Sequence, residues 1–236
     1  MSRMADIFQQ IARCGSLHAD LSTEYDRCIG TRAVSAQLAI LTHELNEKIA
    51  NILDQTFHLA WEVRLKPRLP PEQHQPRGYF VCGSHAGAVV TGLKKWYAAD
   101  LATTDPVFYR LIESCQPYLA PDKDWILEVR EIARHKHIRL LPQEVRDESV
   151  KVFETPLGRI TWRSIDPARS PMVVFGAPVH RTVRSERKGR VVSTAEETWT
   201  SIAIAGMGLD PKIFGALCVH QLAALVQQFE RELGLA

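Results

Sequence analysis

The sequence predicts an α+β protein: a mainly helical bundle, then a small antiparallel sheet and a C-terminal helix. Three observations carry this. Apolar residues recur every three or four positions through most of residues 1–142. Beyond Pro142 the period gives way to short runs rich in Val, Ile, Thr, Phe and Trp, separated by turn residues. A last amphipathic stretch then follows Asp210-Pro211, where proline suits the first helical turn. The expected division is a helical bundle over 1–142 and a β region with its closing helix over 143–236.

Met4, Ile7, Phe8 and Ile11 predict a short first helix over 4–14, ended by Gly15 and Ser16. After Gly30, the series Val34, Leu38, Leu41, Leu45, Ile49, Ile52, Phe57 and Ala60 predicts a long helix, roughly 45 Å at about 1.5 Å per residue. Pro67, Pro70, Pro71 and Pro76 stop it and make an extended crossover. Helical spacing resumes over 86–100 through Val89, Val90, Leu93, Trp96 and Tyr97, and again over Pro106–Cys115. Gln116-Pro117-Tyr118 breaks that helix before another begins at Trp125, with Asp122 or Asp124 as its N-cap. Strands are expected over 150–153, 159–165, 172–176 and 191–204, and the closing helix runs from Ile213 to Leu233.

The 236 residues are 45% hydrophobic, enough for a real core, and exclude disordered and collagen-like classes. A formal net charge of +2 means that any nucleic-acid affinity comes from local patches. No apolar run approaches the roughly 18–20 residues that span a bilayer, so no membrane association is expected and the location read from the sequence is the cytoplasm. Cys14, Cys28, Cys82, Cys115 and Cys218 include no Cys-x-x-Cys pair and read as buried, reduced thiols.

Candidate chemistry is densest in the Trp125–Pro142 segment. On a helix at about 100° per residue, Arg130 and His137 differ by only roughly 20° and share a face. The family resemblance carried by the segments quoted next implies RNA cleavage without a metal, which needs a base for the 2′-hydroxyl, an acid for the leaving oxygen and fixed positive charge on the transition state. Histidine serves in either proton role near neutrality, and arginine stays charged and presents paired donors to phosphate. Arg130 would stabilise charge and His137 would move the proton. Arg134, Lys136 and Arg139 would hold flanking phosphates.

Ala50-Asn51-Ile52-Leu53-Asp54 on the long helix, Gln116-Pro117-Tyr118, and Ile132-Ala133-Arg134-His135-Lys136-His137 together resemble a group of uncharacterised bacterial proteins similar to HEPN-type helical bundles. Those proteins show Arg-x-Ala-Leu-Asp-His, Gln-Pro-Tyr and Asn-x-Asp-Lys-His-Arg segments. Asp54, Lys136 and His137 are the positions that carry over. Ala50 and Gln55 replace the arginine and histidine of the first segment, His135 stands where the acid would be, and the final arginine is displaced to Arg139. The resemblance spans roughly residues 30–142. It implies an Arg-x4-6-His signature, which Arg130 satisfies with both His135 and His137. It also implies a homodimer that builds one site across a two-fold axis and a metal-independent endoribonuclease of defence or toxin type, with RNA as partner and no cofactor. Asp54 would orient an imidazole or guanidinium across the bundle.

The same residues have plainer readings. Glu128, Arg130, Glu131 and Arg134 can form a structural ion-pair seam, with Asp54 as a carboxylate balancing Arg130 or Lys136. The chain is then a non-enzymatic binding or assembly module that offers basic faces to a nucleic-acid or protein partner. No metal is expected, because His135 and His137 point roughly 160° apart on a helix. A second basic concentration, His180 to Arg190, reads as a hairpin tip in which Arg184, Arg187 and Lys188 would contact a nucleic-acid backbone or simply be solvated. Gly83-Ser84-His85-Ala86-Gly87 opens a helix whose amides would suit an anion, without the lysine of a phosphate loop.

Overall fold

The computed structural model describes residues 2–76, 78–135, 140–155, 158–165, 173–174, 177–178, 185–187 and 190–235; over 148–198, and at 121, it describes the backbone only. The chain is mainly helical α+β. It divides into two compact units: Met1–Glu24, Ala36–Leu141 and Lys212–Ala236 form a helical unit, and Tyr25–Ser35 with Pro142–Pro211 form a sheet unit. No helix among the described residues is long and apolar enough to cross a membrane.

The helical elements are α1 (Arg3–Thr31), α2 (Ala36–Arg64), α3 (Ala86–Lys94), α4 (Leu101–Thr104), α5 (Pro106–Ser114), α6 (Trp125–His135) and α7 (Pro211–Leu233). Helix α1 does not stop at Gly15. Buried Met4, Ile7, Ile11, Cys14, Leu17 and Leu21 keep one apolar stripe running past it, and a lone glycine costs only about 1 kcal/mol in a helix interior. The helix ends instead at Arg32, whose φ of +52° lets Ala33 N donate to Cys28 O (3.2 Å) and Arg32 N to Ile29 O (3.2 Å). Helix α2 follows the expected long series and buries Leu38, Leu45, Ile49, Ile52, Phe57 and Trp61. Helix α3 stops at Lys94, short of the expected 100, because Tyr97 turns the chain with φ +55°.

The core of the helical unit is aromatic. The Phe57 ring lies 4.8 Å from Trp96, 5.4 Å from Phe108 and 5.7 Å from Phe80 between centroids. Phe229 of α7 adds contacts to Phe80 (5.9 Å) and Phe108 (6.3 Å). These contacts place α7 with the helices, so a boundary that assigns all of 143–236 to one β region misgroups 212–236. The apolar face of α7 needs a partner, and the Phe57 cluster supplies it.

Helix α5 is capped by Asp105, whose Oδ1 accepts from Phe108 N (3.1 Å), with Pro106 at the first helical position. Both oxygens of Asp105 also take the Arg64 fork, from Nε at 2.8 Å and Nη2 at 3.0 Å. Burial pushes the Asp105 carboxyl up, but the hydrogen bonds from Arg64 and Phe108 N outweigh it and hold the acid below its ordinary range. At the start of α6 the Asp124 carbonyl, rather than its carboxylate, receives Leu127 N (2.9 Å) and Glu128 N (3.1 Å).

In the sheet unit, β1 (Gln143–Thr155), β2 (Gly158–Ile165), β5 (Ser185–Arg187) and β6 (Arg190–Ile204) form an antiparallel sheet in the order β2-β1-β6-β5. The two-residue β3 (Val173–Val174) and β4 (Ala177–Pro178) pair separately. The register sets Val145 opposite Ile202 and Val152 opposite Ala195. β1 begins seven residues before the expected strand, since alternation through Gln143–Asp147 is largely polar while its partner Ile202–Ile204 is buried. The Tyr25 hydroxyl donates to Asp210 Oδ2 (2.5 Å) and accepts from Ile202 N (3.1 Å), and burial, then the Asp210 bond, pushes its titration up.

Replacing Asp105 with Ala removes a cap and leaves the Arg64 fork without its carboxylate. Urea unfolding should show a loss of about 2–4 kcal/mol. Because the folded carboxyl titrates below its unfolded value, this contribution is present above the unfolded pKa of about 3.9 and is lost as pH falls through the folded one. A wild-type-like midpoint for Asp105→Ala, or equal sensitivity of the two proteins to acid, contradicts this account.

Candidate functional site: a side-chain clasp on a buried strip

Residues 78–83 of the helical unit belong to no helix or strand, with Phe80 and Val81 buried. A buried segment outside helix and sheet must satisfy its amides and carbonyls in some other way. Side chains from three places do so. Asp54 on α2 accepts from Phe80 N at 2.7 Å. Trp96, just past α3, donates its indole N–H to Tyr79 O at 3.0 Å and accepts the Trp61 indole at its own carbonyl, 2.9 Å away. Gln116, fully buried after α5, receives Gly83 N at 3.0 Å and donates to Val81 O (3.0 Å) and Ile112 O (2.6 Å). The approach is close: a Cβ on Gly78 would overlap the Trp96 indole.

Asp54 also reaches α6. Its Oδ1 takes Arg130 Nη2 at 3.0 Å, and the two side chains keep 29% and 25% of their exposure. The guanidinium carbon lies 6.0 Å from the centre of the Phe80 ring. Burial pushes the Asp54 carboxyl above the usual range, and it outweighs the opposing effects of Phe80 N and Arg130. The half-buried Cys82 thiol nearby is likewise pushed up to about 11 by burial, against the charge of Arg130.

Of the sequence-predicted residues, the structure therefore brings Asp54 and Arg130 together. His135 and Arg134 go elsewhere on α6: Glu131 receives Arg134 Nη2 at 2.6 Å and lies 2.8 Å from His135 Nε2. Glu131 is held below its ordinary range by those two hydrogen bonds, Arg134 first. Five residues apart on a helix, Arg130 and His135 diverge by roughly 140°, so this pair does not share a face. Lys136, His137, Arg139, Arg184 and Lys188 lie outside the described residues, and Arg187 is described by its backbone in β5 alone. Among the described residues no group of His, Cys, Asp and Glu is placed to hold a metal ion. One amide at the start of α3 is engaged by a side chain, since the His85 ring accepts from Ala88 N at 3.3 Å.

The expected seam along α6 is half present. Glu131 pairs with Arg134, but Arg130 leaves its own helix for Asp54. The role of Gln116 was not legible as a site residue. Its signal was membership of the Gln116-Pro117-Tyr118 segment, which carried no role, and its bonds to Gly83 N and Val81 O join residues more than 30 positions apart. Comparison with known proteins finds no matching family model, no similar curated protein and no similar solved structure.

Two measurements check the clasp. In a carbon-detected NMR titration the Asp54 carboxyl should show a midpoint above the ordinary aspartate value of about 3.9, and Arg130→Gln should raise it further. With a folded pKa above the unfolded one, the stability this group contributes is held at acid pH and lost as pH rises through the folded value; a depressed midpoint contradicts the burial argument. Gln116→Leu leaves Gly83 N and Val81 O without partners and should lower stability by about 3 kcal/mol. A loss of under about 0.5 kcal/mol would show that the strip does not depend on it.

Proposed function

We propose that this chain is a non-enzymatic binding or assembly module of the cytoplasm, built on a HEPN-like helical scaffold. One observation carries the reading: Arg130, the residue that would stabilise charge on a phosphodiester, is engaged by Asp54 of the same chain. Asp54 and Gln116, two positions of the motif resemblance, spend their polar atoms on the backbone of residues 80–83. Those side chains work as fasteners and are not presented to a substrate. Charge supports the same reading. Lysine plus arginine balances aspartate plus glutamate within the helical unit, so the net excess of +2 falls in the sheet unit. A face that binds an RNA backbone normally carries a positive excess.

The metal-independent endoribonuclease is the second reading, favoured by the quarter of its surface that Arg130 leaves open beside a carboxylate able to orient it. A homodimer with RNA across its two-fold axis belongs to that reading. The two separate in one assay. Purified protein incubated with end-labelled RNA in EDTA should leave the RNA intact, and Arg130→Ala should change protein stability without changing the RNA. Cleavage by the wild type that Arg130→Ala and His137→Ala abolish, with both variants folded, overturns the module reading.

A further inference from the structure

Helix α7 carries no lysine, arginine, aspartate or glutamate from Ile213 to Phe229, yet one side of it faces solvent. Its inner stripe, Phe214, Cys218, Leu222, Leu225 and Phe229, is buried in the helical unit. On the outer side Ile213 is 70% exposed and Leu217 46%, and Ala216, His220, Ala224 and Gln227 are exposed with them. At about 100° per residue these six positions fall within an arc of roughly 100°, the width of a packing face. The outer face of α1 is different, since Asp6, Arg13 and Asp20 stand on it. A helix without charge on either side is one that packs on both.

The face itself indicates what covers it. No cation stands between its ends, which counts against a nucleic-acid backbone or an anionic lipid surface. Charge sits at the ends instead, with Lys212 in the first turn and Glu230, Arg231 and Glu232 in the last. A cation at the start and a net negative charge at the end both oppose the dipole of the helix. A second α7 laid antiparallel would bring each lysine toward the acidic end of its partner and oppose the two dipoles, whereas a parallel copy would set like ends together. Shape agrees. A two-fold axis between His220 and Gln221 would set Leu217 of one copy opposite Ala224 of the other, a large residue over a small one. The strip is roughly 21 Å long at about 1.5 Å per residue, so two of them bury on the order of 1,000 Å², the lower bound for a specific interface and enough for a weak dimer.

We propose that the outer face of α7 docks on the same face of a second copy of this chain, the two helices antiparallel about a two-fold axis beside His220. No residue of the Asp54–Arg130 clasp lies on this face, so the interface needs neither functional reading above and differs from a dimer joined at Arg130.

The test is the mass of the full chain by sedimentation equilibrium. Wild type should pass from the 26.6 kDa monomer to twice that mass as its concentration rises through the micromolar range. Leu217→Glu should raise the dissociation constant about tenfold or more with an unchanged urea midpoint. If that variant does not fold, Ala224→Lys, at another exposed position, takes its place. For the direction of packing, His220→Cys should cross-link to its own copy under mild oxidation, above the wild-type background. Ile213→Cys should not, because the two copies of that position lie roughly 20 Å apart along antiparallel helices. A monomer at every concentration, an unchanged dissociation constant in the folded charge variant, or Ile213→Cys cross-linking as readily as His220→Cys overturns the proposal.

Discussion

The helical unit depends on how a short piece of irregular backbone is buried outside any helix or sheet. Phe80 and Val81 bring their peptide groups into the interior along with their side chains, and each unpaired peptide group there costs about as much as a lost hydrogen bond. The strip is stitched instead by Asp54, Trp96 and Gln116, contributed by three separate helical regions. The stitches at Phe80 and from Trp96 also tie the strip to the aromatic cluster, since both rings pack on Phe57. Backbone satisfaction and core packing are thus one arrangement, and the α2, α3, α5 and α6 regions are positioned by it.

This changes what the polar residues mean. Asp54 beside Arg130 invites a catalytic interpretation, because perturbed carboxyls collect at active sites. Yet its perturbation comes mainly from burial, and its shortest bond, 2.7 Å, goes to a backbone amide. Arg130 neutralises a carboxylate that the strip already requires. A partly buried pair of this kind is weak as a source of net stability, but removing one partner is costly. The pair is best understood as a consequence of placing an acceptor at Phe80 N.

Much of the fold was legible because it is written in local periods. The 29 residues of α2 and the 23 of α7 carry sustained apolar spacing, and the β1 to β6 ladder follows alternating Val, Ile and Thr. Two features misled for the same reason. Gly15 looked like a terminator only because local propensity was weighed without the stripe that continues beyond it, and α7 looked like part of the β region only because it follows in sequence. The clasp was hardest to foresee. Asp54, Phe80 and Arg130 are joined across 26 and 76 residues by side-chain bonds, which leave no period. The pairing of Asp54 with Arg130 was among the expected alternatives, beside Lys136 and an imidazole, while the bond from Phe80 N to Asp54 was visible only in three dimensions.

The central claim is that Asp54 and Arg130 act on each other as structural partners. A double-mutant cycle of Asp54→Asn and Arg130→Gln, followed by urea unfolding of the four proteins, measures this directly. The account predicts single losses that fail to add, with a coupling of about 1–2 kcal/mol. Losses that add to within about 0.5 kcal/mol would contradict it, because independent residues behave that way.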